Sequence, residues 1–222
     1  MIDTVIFDFD GTLADTNQLI INSFRHIYDK FHESGCSEEY ILSTFGEPLE
    51  LTLRRDFGDF SFEDVIASYR EYQVDKFEKD VKLYDTVEET LKYLNENKIK
   101  IGIATSRLKS STLNALVHFD INKYFQIIIA AEDVKNHKPD KEPLIKAING
   151  LNSSAENTLY VGDSRFDMEC AINARTTPVL VGWQTNSKML AEKYNIEYVL
   201  NKMWDLTNIT KFSGGSCSHQ NR

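Results

Sequence analysis

The chain has 222 residues, 41% of them hydrophobic and 27% charged, a composition that excludes fibrous and largely unfolded proteins. Lys and Arg number 25 against 34 Asp and Glu, giving a formal net charge of −9, which disfavours nucleic acid as a partner because phosphates need cationic neutralisation. No apolar run approaches the roughly 20 residues of a membrane helix, and no basic segment precedes an apolar stretch at Met1-Ile2-Asp3. The expectation is a cytoplasmic protein that does not bind membranes, with Cys36, Cys170 and Cys217 as reduced thiols that lack metal-ligand spacing.

In chain order, a short β-prone run begins at Thr4 and passes through Val5, Ile6 and Phe7 into Asp8, Phe9 and Asp10, with its acids only at the end where Gly11 breaks the pattern. From Thr16 to Lys79 the pattern changes. Ile20, Phe24, Ile27 and Phe31, and later Phe62, Ile66 and Tyr69, recur at helical spacing with no strand between them. Beyond residue 86, apolar runs at Ile99 to Ala104, Gln126 to Ala131, Thr158 to Val161 and Pro178 to Val181 alternate with helical patterns. Thr86 and Glu89 have capping-box spacing, and Pro143 suits a first helical turn. This alternation predicts an α/β fold, a doubly wound parallel sheet with a Rossmann-like core over 1–15 and 80–212. Residues 16–79 form a helical cap inserted after the first strand, and the polar, glycine-rich stretch 213–222 reads as a disordered tail.

Four segments place polar residues at the carboxyl ends of predicted strands, the ligand-binding edge of open α/β sheets. They are Asp8 to Thr12, Ala104 to Arg107, Asn136 to Pro139 and Val161 to Asp167. Adjacent strand ends would crowd Asp8, Asp10, Asp163 and Asp167 together, and such carboxylates need a cation to stay ionised. An all-oxygen donor set points to Mg²⁺. Beside such a cation Asp8 is a feasible nucleophile toward phosphorus. Asp10 could turn back over the site as acid and base, Thr105 or Ser106 would bind phosphoryl oxygens, and Lys138 would offset negative charge.

These segments resemble the four signature motifs of the haloacid dehalogenase-like superfamily. Asp8-Phe9-Asp10-Gly11-Thr12-Leu13-Ala14-Asp15-Thr16 is similar to the whole first motif, Thr105 stands at the second, Lys138 at the third, and Asp163 with Asp167 at the fourth. The resemblance implies Asp8 as nucleophile and Asp10 as acid and base. It also implies Mg²⁺ held by Asp8, the main-chain carbonyl of Asp10, and Asp163, with Asp167 supporting. The helical insert resembles the α-helical cap of the subgroup that contains phosphoglycolate phosphatase, pyrophosphatase and β-phosphoglucomutase. Gly46-Glu47-Pro48-Leu49 and Val181-Gly182-Trp183 are similar to segments of the phosphoglycolate phosphatase-like branch. Two departures stand out: Lys141 replaces the second proline of a common Lys-Pro-x-Pro run, and Arg175 follows Ala174 where many members have glycine.

The expected function is Mg²⁺-dependent hydrolysis of a small phosphorylated metabolite, a phosphoric monoester, through an aspartyl-phosphate intermediate. A phosphomutase, a pyrophosphatase and a catalytically silent binding protein regulated by phosphorylation of Asp8 are the alternatives. Bland readings stand beside several residues. Asp167 could merely cap a helix or pair with Arg165 or Arg175, and Arg107 reads first as a helix-start residue and second as a substrate contact. Glu47 is the cap residue nearest to a specificity role, its alternative being a solvated loop acid. Oligomeric state is not legible.

Overall fold

The computed structural model describes residues 1–32 and 35–212. The expected tail and Cys217 lie outside the described residues, within which Cys36 and Cys170 are free thiols. The strands are β1 (Thr4–Phe7), β2 (Ala14–Asp15), β3 (Lys82–Leu83), β4 (Lys100–Ala104), β5 (Ile127–Ile129), β6 (Thr158–Gly162), β7 (Thr177–Val181) and β8 (Tyr198–Leu200). Six of them form one parallel sheet in the order β5-β4-β1-β6-β7-β8.

β1 lies inside the sheet with all four residues buried. Its side chains alternate between two cores because successive Cβ atoms point to opposite faces. Val5 and Phe7 join a cluster with Leu91, Leu94 and Leu116, while Ile6 faces Leu144, Ile148 and Ala171. Helices α5 (Val87–Glu96), α6 (Lys109–His118) and α10 (Leu206–Phe212) belong to the first side, α7 (Glu142–Gly150) and α8 (Arg165–Ala174) to the second. Helix α9 (Ser187–Tyr194) packs through Leu190 against Met168 and Leu180. This is a doubly wound α/β fold.

Between β2 and β3 the chain forms α1 (Asn17–Phe31), α2 (Glu38–Ser43), α3 (Leu49–Asp56) and α4 (Phe62–Asp80). These helices bury their own core of Ile21, Phe24, Ile27, Leu53, Val65 and Tyr69. β2 pairs antiparallel with β3, Ala14 opposite Leu83, so the two connections to the sheet run side by side. Neither this short pair nor β8 is visible in sequence periodicity: two residues carry no period, and β8 exposes Val199.

One local expectation is corrected. Thr86 makes no capping box; it is left-handed at φ 65°, and its Oγ1 accepts from Trp204 N at 3.0 Å. Arg175 takes the left-handed helix cap (φ 60°) without glycine, its N–H bonding the Ala171 and Ile172 carbonyls. No described helix is long and apolar enough to cross a membrane.

Candidate active site

Because β1 runs between β4 and β6, its carboxyl end brings Asp8 beside the loops that follow both neighbours. Asp8 continues the ladder, donating its N–H to the Val161 carbonyl at 2.9 Å, and its side chain is buried. The chain then turns sharply at Gly11, which has φ +72°. A Cβ there would stand 2.3 Å from Asp163 Oδ2, so this turn and the fourth-motif acid pack against each other only with glycine. The Gly11 carbonyl accepts from Trp183 Nε1 and Gln184 Nε2, each at 3.0 Å. Gln184 also accepts from Asn17 Nδ2 at 3.0 Å and reaches Tyr84 Oη at 3.2 Å, which ties this turn to both connections of the helical insert.

Lys138 is buried between two acids, its Nζ 3.0 Å from Asp8 Oδ1 and 2.7 Å from Asp167 Oδ1. Asp167 therefore pairs with Lys138, not with Arg165 or Arg175. Its remaining contacts come from Tyr160 Oη to Oδ1 (2.8 Å), and from Ser164 N (3.0 Å) and Ser164 Oγ (2.6 Å) to Oδ2. Ser164 Oγ accepts in turn from Asp167 N, completing a capping box at the start of α8. Burial would raise the Asp167 pKa, but Lys138 and these hydrogen bonds hold it below the usual carboxylate range. Asp8 differs. Burial pushes it up to about 7 against the pull of Lys138, with Asp167 and Asp10 adding repulsion. Asp163 is likewise raised well above its ordinary value, by burial and then by Asp167 and Asp8. Burial disfavours the Lys138 ammonium, yet attraction to Asp167 and Asp8 outweighs it and raises its pKa.

Asp10 turns away from this cluster. Its Oδ1 accepts from Arg107 Nη1 at 2.8 Å, while Arg107 Nη2 donates to Ser111 Oγ at 2.6 Å. Arg107 is thus more than a helix-start residue. Thr105 is buried at the end of β4 and accepts from Arg107 N at 3.2 Å. Ser106 Oγ donates to the Gly46 carbonyl at 3.4 Å, joining the second motif to the insert. Asp8, Asp10, Thr105, Ser106, Arg107 and Asp163 all line one cavity of about 790 Å³ between sheet and insert. Glu47 lines it too, partly exposed, accepting from Thr52 Oγ1 at 2.7 Å and pairing with Arg55 at 3.0 Å. Lys141 is exposed and lines no part of this cavity.

Carboxylate oxygens of Asp8, Asp163 and Asp167 lie within 4.8 Å of one another. Three acids here face the single ammonium of Lys138, a shortfall of two positive charges that a divalent cation would offset. Asp8 Oδ1 is buried with no hydrogen-bond partner, although Lys138 attracts it. Both Asp167 oxygens, by contrast, already accept hydrogen bonds. The donor set, all hard oxygens, fits a small divalent cation.

Tyr160, Ser164 and Gln184 belong to this neighbourhood and are not singled out by sequence. Tyr160 sits inside β6 and reads there as core; Trp183 and Gln184 meet Gly11 across more than 170 positions.

Residues 5–181 match the haloacid dehalogenase-like hydrolase family, and the chain belongs to it. Two relatives are similar along nearly their full lengths. One is a provisionally named pyrophosphatase PpaX of Caldanaerobacter subterraneus subsp. tengcongensis, 37% identical over 210 residues and 95% of each chain. The other is the pyrophosphatase PpaX of Halalkalibacterium halodurans, 34% identical over 208 residues, 94% of this chain and 96% of that one. Among solved structures, a provisionally named haloacid dehalogenase-like hydrolase from Bacteroides fragilis superimposes with a TM-score of 0.84 at 28% identity, covering 93% of this chain and 100% of the other.

Proposed function

We propose that this protein is a Mg²⁺-dependent phosphatase that hydrolyses a small phosphorylated molecule through an aspartyl phosphate on Asp8. The observation that carries this reading is the placement of Asp8, at an inner strand end and in the cavity wall, against Lys138 and the Asp163–Asp167 pair. In this reading Asp8, Asp163 and the main-chain carbonyl of Asp10 hold Mg²⁺, with Asp167 supporting from behind through Lys138. The ion would supply charge neutralisation and hold the phosphoryl oxygens.

The chain's own groups account for the remaining steps. Asp8 attacks phosphorus and takes the phosphoryl group. Lys138 keeps it anchored and offsets the charge that develops, while Thr105 and Ser106 hydroxyls bind phosphoryl oxygens. Asp10, released from Arg107, gives a proton to the leaving oxygen and later takes one from the water that hydrolyses the acyl phosphate. The helices of residues 16–79 act as a cap over this chemistry, and Glu47 and Arg107 are the proposed contributors to selectivity. The PpaX names of the relatives make pyrophosphate a leading candidate substrate alongside phosphoric monoesters.

The test is hydrolysis of pyrophosphate, phosphoglycolate, sugar phosphates and p-nitrophenyl phosphate with Mg²⁺, each against Asp8→Asn. Release of phosphate by the native protein and none by the variant is expected. Equal release by both would overturn the reading.

A further inference from the structure

Arg107 has more donors than its partners use. Its backbone is fixed on both sides, with N–H to Thr105 Oγ1 and carbonyl accepting from Ala131 N at 2.9 Å. Its side chain is only 8% exposed. Nη2 is held by Ser111 and Nη1 by Asp10, yet Nε is buried with no hydrogen-bond partner. The guanidinium lies 5.2 Å from the Phe9 ring centre and 5.8 Å from that of Phe77 on α4. It therefore stands in the cavity wall where the sheet meets the insert, next to the acid that the proposed chemistry needs free.

The position separates Arg107 from the phosphoryl pocket. Lys138 and the fourth-motif acids gather around Asp8. Arg107, two residues past Thr105, faces the insert, where the remainder of a substrate would lie. Arginine has a planar fork suited to two-point recognition of carboxylate or phosphate. Buried and carrying a permanent charge, it requires an anion, and Asp10 now supplies it.

We propose that Arg107 recognises a second anionic group on the substrate, either the second phosphoryl of pyrophosphate or a carboxylate close to a phosphate ester. In binding it, that group takes the place of Asp10 on the guanidinium. A substrate with two anionic ends would thereby release the acid it needs, whereas a singly anionic ester would have to compete with Asp10 unaided. The inference rests on the hydrolytic reading above and narrows its substrate class.

Arg107→Met and native protein are compared by kcat/KM with Mg²⁺ on pyrophosphate, phosphoglycolate and p-nitrophenyl phosphate, which has no second anion. Losing a charge-assisted contact predicts a fall about tenfold or more greater for pyrophosphate or phosphoglycolate than for the nitrophenyl ester. Which of the two falls identifies the second anion. A smaller difference for both overturns the inference. Thermal melting confirms that the variant is folded; if it is not, Arg107→Lys, which keeps the charge but loses the planar fork, must still show a selective loss for the doubly anionic substrates.

Binding separates this inference from the hydrolytic reading. If the native protein turned over none of the three, the reading would fail, and calorimetry with imidodiphosphate and inorganic phosphate would still test Arg107. Arg107→Met should weaken imidodiphosphate about tenfold more than phosphate, and equal weakening contradicts the proposal. Asp10→Asn, which removes the competing charge, should tighten imidodiphosphate binding; unchanged or weaker binding would overturn the displacement of Asp10.

Discussion

Lys138 Nζ lies 3.0 Å from Asp8 Oδ1 in a pocket that leaves the two side chains only 3% and 9% exposed. Because Asp167 is 2.7 Å away on the other side, removing the ammonium leaves two buried carboxylates without a cation. Lys138→Met should abolish hydrolysis and destabilise the fold by about 3–5 kcal/mol, the usual cost of breaking a buried pair. Adding Asp167→Asn should recover part of the stability but none of the activity, because the two residues share one charge network. Urea unfolding of the single and double variants checks this.

Asp10→Asn keeps the shape of the loop but removes the proposed proton carrier. Breakdown of the phosphoenzyme should slow by about 10² to 10⁴, with formation less affected for good leaving groups. Rapid-quench measurement on p-nitrophenyl phosphate should show accumulated phosphoenzyme. Equal slowing of both steps would assign Asp10 another role.

Gly46 joins the insert to the second- and fourth-motif loops. It has φ +83°, and a Cβ there would stand 2.8 Å from both Ser164 Oγ and the Phe166 ring. Gly46→Ala should cost more than about 1 kcal/mol of stability, since alanine resists a positive φ. It should also lower kcat/KM by a similar factor for every substrate, because it displaces the insert and not one recognition group.

Metal removal should abolish hydrolysis, and Mg²⁺ should restore it together with a rise in Tm, since an ion that binds only the folded state stabilises it. Ca²⁺ should fail to restore activity, as it favours roughly 6–8 oxygen ligands in looser geometry. Full activity after exhaustive chelation would contradict the ligand set.

The alternation of apolar runs and helical patterns is enough to read the parallel sheet and the inserted helices, because burial on both faces leaves a continuous apolar signature. The placement of the candidate-site acids is legible for a different reason: Asp8 and Asp163 each end such a run, where chain direction alone brings them to one edge. What sequence misses depends on tertiary contact. Tyr160 is an ordinary core residue of β6 until its hydroxyl meets Asp167, and Gln184 meets Gly11 only through folding. Thr86 has the right spacing for a cap, but tertiary contact with Trp204 fixes its hydroxyl elsewhere. Arg107 shows its ion pair only once β1 and β4 are adjacent, Phe7 opposite Ile103.

The most direct measurement is chemical trapping at Asp8. During turnover of p-nitrophenyl phosphate or pyrophosphate with Mg²⁺, rapid acid quench followed by borohydride reduction converts an aspartyl phosphate to homoserine, which peptide mass spectrometry locates. The account predicts homoserine at position 8, dependent on substrate and absent from Asp8→Asn. Continued turnover with position 8 unmodified, or with modification at another acid such as Asp10 or Asp163, would contradict it.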